Sequence, residues 1–89
     1  MSKQVTFTDS ALRDLKKLPK KDQAQIITKI ETAAENPQAA GERKVKNAEG
    51  LYRVRQGDYR AVYSKSPNGL WIALIGHRKD VYARLRHLR

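Results

Sequence analysis

The sequence contains no cysteine and only two histidines, His77 and His87, in 89 residues. That excludes a disulfide framework and a thiolate metal centre, and it leaves zinc without a cluster of ligands, so no metal and no cofactor are expected. Long apolar runs are missing as well. None approaches the roughly 20 residues a transmembrane helix needs, and the mean hydropathy is −0.76. Met1-Ser2-Lys3-Gln4 leads into no apolar segment of the secretory type, so no signal peptide and no membrane association are expected, and the expected compartment is the cytoplasm. A chain this short is expected to form one domain, residues 1–89, around a small core.

Acidic residues are scarce in one half only. Residues 51–89 hold nine Lys/Arg against Asp58 and Asp80, a net of +7, whereas residues 1–50 hold ten against seven, a net of +3. A total of +10 segregated in this way favours a polyanionic partner, nucleic acid first and acidic protein second.

The hydrophobic periods define the elements. Val5-Thr6-Phe7 is a strand candidate, followed by Thr8 as helix N-cap and Asp9 in the first turn, where its charge suits the helix dipole. Ala11, Leu12, Leu15 and Leu18 recur at helical spacing until Pro19. A second helix from Lys20–Asp22 carries Ile26, Ile27, Ile30, Ala33 and Ala34 and stops before Asn36-Pro37. Residues 36–49 read as a loop with Val45 its single large aliphatic. Leu51–Arg55 and Tyr59–Ser64 then alternate as strands. Leu70–Ile75 is a continuous apolar run suited to a central strand covered on both faces, reached through the turn Ser66-Pro67-Asn68-Gly69. A basic tail, Arg78 to Leu88, follows Gly76. The order β-α-α-β-β-β predicts an α+β fold: an N-terminal strand and helical hairpin packed on one face of a small antiparallel sheet, with a short C-terminal helix and the other face partly open.

The hairpin carries the chemistry. Gly57-Asp58 suits a two-residue type II′ turn, which pairs Gln56 with Tyr59, Arg55 with Arg60 and Arg53 with Val62. Alternation then puts Arg53, Arg55 and Arg60 on one face and Tyr52, Val54, Tyr59, Ala61 and Tyr63 on the core side. Like charges directly opposed cost up to about 1 kcal/mol. A phosphate gripped between guanidinium forks reverses that sign. Arg78 and Tyr82, four residues apart, share a face if the tail is helical. One neutralises phosphate and the other stacks on an unpaired base. His77 has an ordinary pKa near neutrality, and two roles are open to it, a strand-end cap or a catalytic group. Lys44, Lys46 and Lys79 are further candidate RNA-binding cations, and His87 reads as a surface residue.

Four blocks in order, Ala11–Pro19, Leu51–Arg55, Gly57–Tyr63 and Ile75–Tyr82, resemble the signature blocks of RelE-type toxins in the RelE/ParE superfamily, over nearly the whole chain. The resemblance implies a microbial-ribonuclease-like domain neutralised by a cognate RelB-like antitoxin. It also implies metal-independent endoribonuclease activity in the 30S ribosomal A site, where messenger RNA is cut by 2′-hydroxyl attack to leave 2′,3′-cyclic phosphate and 5′-hydroxyl ends. Carried over, the family's paired basic residues fall on Arg53 and Arg55, its transition-state arginine on Arg60, its leaving-group arginine on Arg78 and its substrate-orienting tyrosine on Tyr82. One departure is informative. Some members have lysines at the paired positions, and arginine cannot serve as general base. That leaves His77, Tyr82 or the ribosome to take the proton. A toxin of the ParE type, which poisons DNA gyrase by binding, is the alternative; members of that type usually lack the catalytic set that this chain keeps.

Overall fold

The computed structural model describes residues 4–86; His87 and the end of the expected basic tail lie outside the described residues. The elements in chain order are β1 (Gln4–Phe7), α1 (Asp9–Lys16), α2 (Lys20–Glu35), α3 (Pro37–Ala40), β2 (Arg43–Lys44), β3 (Leu51–Gln56), β4 (Tyr59–Ser66), β5 (Gly69–His77) and α4 (Arg78–Leu85). They form the expected α+β architecture around a five-stranded sheet of order β1-β5-β4-β3-β2. The sheet is mixed rather than wholly antiparallel, because β1 runs parallel to β5, from Gln4 opposite Gly69 to Phe7 opposite Ile72. The "loop" of residues 36–49 also contains structure: one turn of helix capped by the Asn36 side chain, then the two residues of β2.

The local chemistry explains the boundaries. The Thr8 hydroxyl accepts from the Ala11 amide at 3.1 Å, the bond an N-cap makes to satisfy an otherwise free first-turn donor. Pro19 ends the first helical segment and serves as N-cap of α2. Ala11, Leu15, Leu18, Ile26, Ile30, Ala33 and Ala34 bury the expected stripes against Val54, Ala61, Tyr63 and Ile72. Leu12, counted with that stripe, is 39% exposed instead.

The opposite face of the sheet has a second, smaller core. α4 crosses it and buries Val81 completely against Val62, Leu74 and Val45, a contribution of about 1.5–3 kcal/mol for a side chain of that class. Gly76 permits the close crossing: a Cβ there would stand 3.2 Å from Val81 Cγ2. The expectation that Leu70–Ile75 is covered on both faces therefore holds only at its end. α4 reaches Leu74, and Trp71, beyond its reach, is 46% exposed.

A single irregularity in β5 decides which side chains share a face. Tyr63 pairs with Ile72, but Val62 pairs with Leu74, so Ala73 is an extra residue, a β-bulge. A bulge shifts the parity of everything beyond it. Beyond this one, Arg60 lies opposite Gly76 and Tyr59 opposite His77. No helix among the described residues is long and apolar enough to cross a membrane.

Candidate nucleic-acid interface

The hairpin register is the one the turn chemistry requires. Gly57 has φ +62°, Asp58 stays at negative φ, and the pairs are Gln56 with Tyr59, Arg55 with Arg60 and Arg53 with Val62. Arg53, Arg55 and Arg60 thus lie on the α4 side of the sheet. β2 extends the row, because Arg43 pairs with Arg53. Arg55–Arg60 and Arg43–Arg53 are therefore two like-charged cross-strand pairs on one face, each unfavourable in isolation. Among the described residues none of the four makes an ion pair with a carboxylate.

Arg60 is the least ordinary of them. It is only 7% exposed. Its Nη1 donates to the carbonyls of Gly57 at 3.3 Å and Tyr59 at 3.2 Å, but its Nε is buried with no partner among the described residues. An unmet buried donor costs about 1–3 kcal/mol, and more when the group is charged. A guanidinium held rigidly by two carbonyls, short of counter-charge and bond acceptor, is complementary to an anion.

α4 brings the second cationic group. The Arg78 amide donates to the Asp58 carbonyl at 2.9 Å, so Arg78 and Arg60 are both anchored to the same β3–β4 turn. Arg78 and Lys79 occupy the first turn of α4, where positive side chains oppose the helix dipole and Asp80 is the lone acid. Both are exposed. Tyr82 lies one turn further on, 44% exposed, in a cleft shared with Lys46, Glu49, Leu51 and Arg86. Arg53, Arg55, Arg60, Arg78, Tyr82 and Lys46 are thus distributed over one side of the molecule.

Two candidates lie elsewhere. Lys44 pairs with Tyr52 on the helix side of β3. His77 pairs with Tyr59, and the two rings meet edge-on with centroids 6.2 Å apart. Its Nδ1 accepts a long 3.5 Å bond from the Lys79 amide, so it caps α4. The sheet separates it from Arg60. The bulge at Ala73 is the reason: an unbroken register would set Arg60 opposite Ile75 and turn His77 to the arginine side.

The sequence reading missed Arg43, Lys29 and the pair Asp14–Arg84. A two-residue strand has no period to detect, and Lys29 reads as an ordinary cation flanking a helix stripe. Asp14 is 8% exposed. Its Oδ2 accepts from the Ile75 amide at 3.1 Å and pairs with Arg84 Nη2 at 3.0 Å, while Arg84 Nη1 donates to the Ile75 carbonyl at 3.4 Å. Past the end of β1 this pair covers the open edge of β5 and ties α4 to it. On the helix face, Glu42 accepts from the Tyr63 hydroxyl at 2.5 Å and from Lys65 at 2.6 Å. Burial first, and the adjoining Glu42 second, push the Tyr63 hydroxyl far above the usual phenol range. Among the described residues no group of three His, Cys, Asp or Glu side chains is placed to hold a metal.

Residues 5–82 match the family model described as the ParE toxin of the type II toxin–antitoxin system parDE. The chain belongs to that toxin family. The curated relatives lie on its RelE side. The toxin RelE of Mycobacterium tuberculosis is 38% identical over 61 residues, which cover 67% of this chain and 63% of the relative. The toxin RelG of the same organism is 29% identical over 83 residues, covering 90% and 95%. In the solved toxin–antitoxin complex RelBE2 of Mycobacterium tuberculosis, a chain is 26% identical and superposes with a TM-score of 0.74, covering 88% of this chain and 93% of that one. The fold and the toxin assignment expected from the sequence blocks therefore agree with the family.

Proposed function

We propose that this toxin is a metal-independent endoribonuclease that cuts messenger RNA in the ribosomal A site. The observation that carries the reading is Arg60: a buried guanidinium whose Nε is unpartnered among the described residues, beside further arginines that none of the described carboxylates neutralises. In the reaction the 2′-oxygen bonds to the adjacent phosphorus, the bond to the 5′-oxygen breaks, and the charge on the phosphoryl oxygens grows in between. Fixed cations aimed at that charge supply most of the stabilisation, and removing one such donor typically costs about 10²–10³ in rate. Arg60 fits the role of transition-state clamp, Arg53 and Arg55 bind and steer the phosphate, and Arg78 stabilises the departing 5′-oxygen. Tyr82 stacks on or orients a base.

The proton of the 2′-hydroxyl needs an acceptor, and arginine is not one. With His77 across the sheet from Arg60, Tyr82 and ribosomal groups are the remaining acceptors. In a translation extract the purified toxin is expected to give cut messenger with 2′,3′-cyclic phosphate and 5′-hydroxyl ends. Arg60→Ala and Arg78→Ala are expected to lose at least about 100-fold in rate. Wild-type cutting by both variants sinks the assignment of these two arginines to the site.

The family model's own name favours a second reading, a toxin that binds and poisons DNA gyrase. Inhibition of supercoiling with ribosome-bound messenger left intact selects it. Under either reading the partner is a neutralising antitoxin of the RelB type. The solved RelBE2 toxin–antitoxin complex supports an antitoxin partner, and the +10 charge of this chain favours an acidic one.

A further inference from the structure

The arginine row does not end at the hairpin. Beyond β2 the outer edge of β3 opens into a groove lined by Lys29 of α2, Arg43, Arg53, Arg55, Gln56 and Gly57. Among the described residues, four cations and no acid line it. Glu42, the neighbour of Arg43, has its carboxylate committed to Tyr63 and Lys65 on the helix face. Lys29 is half-buried and, among the described residues, makes no ion pair. Two glycines border the groove, and a Cβ on Gly41 or Gly57 would meet nothing within 4 Å, so neither crowds it.

The spacing of the cations fits a strand of phosphates. Arg53 and Arg55 are two residues apart on one strand, roughly 6.6 Å, and Arg43 stands one strand away from Arg53, roughly 4.8 Å. The geometry points to a phosphate track: the groove binds backbone phosphates that flank the reacting one, so the RNA leaves the Arg60–Arg78 centre over the edge of β3 towards α2. Lys29 and Arg43 are binding residues of this track and take no part in bond making. The inference rests on RNA as the ligand, not on cleavage itself.

The test uses a 2′-O-methylated single-stranded RNA oligonucleotide, which cannot be cut, and salt-dependent binding to the full-length toxin. Each lost phosphate contact is expected to reduce the slope of log K against log salt by about 0.7. The double variant Lys29→Ala/Arg43→Ala is expected to lose about 1.4 from that slope and to bind about tenfold more weakly at moderate salt. Arg43→Lys is expected to keep its share. Lys20→Ala/Lys21→Ala, a control of equal charge loss outside the groove, is expected to change neither the slope nor the affinity comparably. On programmed ribosomes the double variant is expected to raise KM and leave the maximal cleavage rate intact. A defect confined to ribosomes places the contacts on ribosomal RNA and overturns the track; one also seen with the oligonucleotide places them on the messenger and supports it. An unchanged slope and unchanged KM overturn the proposal, as does a loss of antitoxin binding with RNA binding intact. If the wild-type toxin cuts no messenger while the double variant loses slope, the nuclease reading fails and the track stands.

Discussion

Asp14 and Arg84 join the first and last helices through the backbone of the strand between them. One carboxylate oxygen of Asp14 takes both the Ile75 amide and the Arg84 guanidinium, at 3.1 and 3.0 Å. The pair stands where β1 has ended and β5 has lost its neighbour, so it closes a sheet edge and fixes the angle at which α4 carries Arg78 and Tyr82 across the sheet.

The two halves of the pair are expected to behave differently. Asp14→Ala leaves the Ile75 amide buried without an acceptor and costs about 1–3 kcal/mol. Arg84 is 41% exposed in its side chain, and Arg84→Ala costs less than about 1 kcal/mol globally, as screened pairs do. Its effect is local: amide exchange in α4 is expected to quicken while the rest of the chain keeps its protection. Equal exchange in wild type and Arg84→Ala means the pair does not hold the helix.

The hairpin was readable because a two-residue turn fixes register, and register fixes every face from Tyr52 to Tyr63. The helical hairpin was readable for a similar reason, since two apolar stripes and one proline leave little freedom. What escaped was set by tertiary context. Nothing local marks Ala73 as an extra residue, yet it alone decides that His77 faces Tyr59 and not Arg60. Arg43 escaped because a two-residue strand shows no alternation, and Asp14 because a buried acid on an amphipathic helix looks like any solvated one until its partner 61 residues away is known.

Gly69 is expected to be intolerant of any side chain. It sits at φ +152°, and a Cβ would stand 1.8 Å from the Gln4 carbonyl oxygen, on the strand it pairs with. Gly69→Ala must push β1 off β5, with a loss of stability of about 3 kcal/mol or more, the upper range for overpacking and backbone strain. Gly57→Ala meets no atom and costs only its positive φ, about 1 kcal/mol. Urea melts of the two variants should rank them in that order, and the reverse order contradicts the β1–β5 packing.

Alkaline pH should destabilise the chain through Tyr63. Its folded pKa lies above the unfolded value of 10.0, so below about pH 10 both states keep the proton and the residue contributes no pH dependence. Above pH 10 the unfolded state releases a proton that the folded state retains. Stability then falls with rising pH, by up to about 1.4 kcal/mol per pH unit from this group. Tyr63→Phe removes that slope and, by leaving Glu42 to Lys65 alone, lowers stability at neutral pH by about 1 kcal/mol. Melting temperatures between pH 8 and 11 that fall equally in both proteins refute the account.

Arg60 should be more costly to stability than an apolar residue of similar length. It is buried, it opposes Arg55, and among the described residues its Nε is unmet and no carboxylate neutralises it. Even a buried ion pair can often be replaced by hydrophobic residues of similar volume with a neutral effect or a gain of about 1–4 kcal/mol, and an uncompensated buried charge is costlier than a paired one. Arg60→Met forfeits two modest bonds, to the Gly57 and Tyr59 carbonyls, and is expected to gain about 1 kcal/mol net. That amounts to roughly 4–8 °C in Tm for a domain of this size. The same variant should lose its response to anions. Phosphate should raise the Tm of the wild type by mass action on the folded state and leave Arg60→Met nearly unmoved. A variant that is both less stable and still stabilised by phosphate places the anion elsewhere, and the cross-strand arginine pair then has a structural explanation instead.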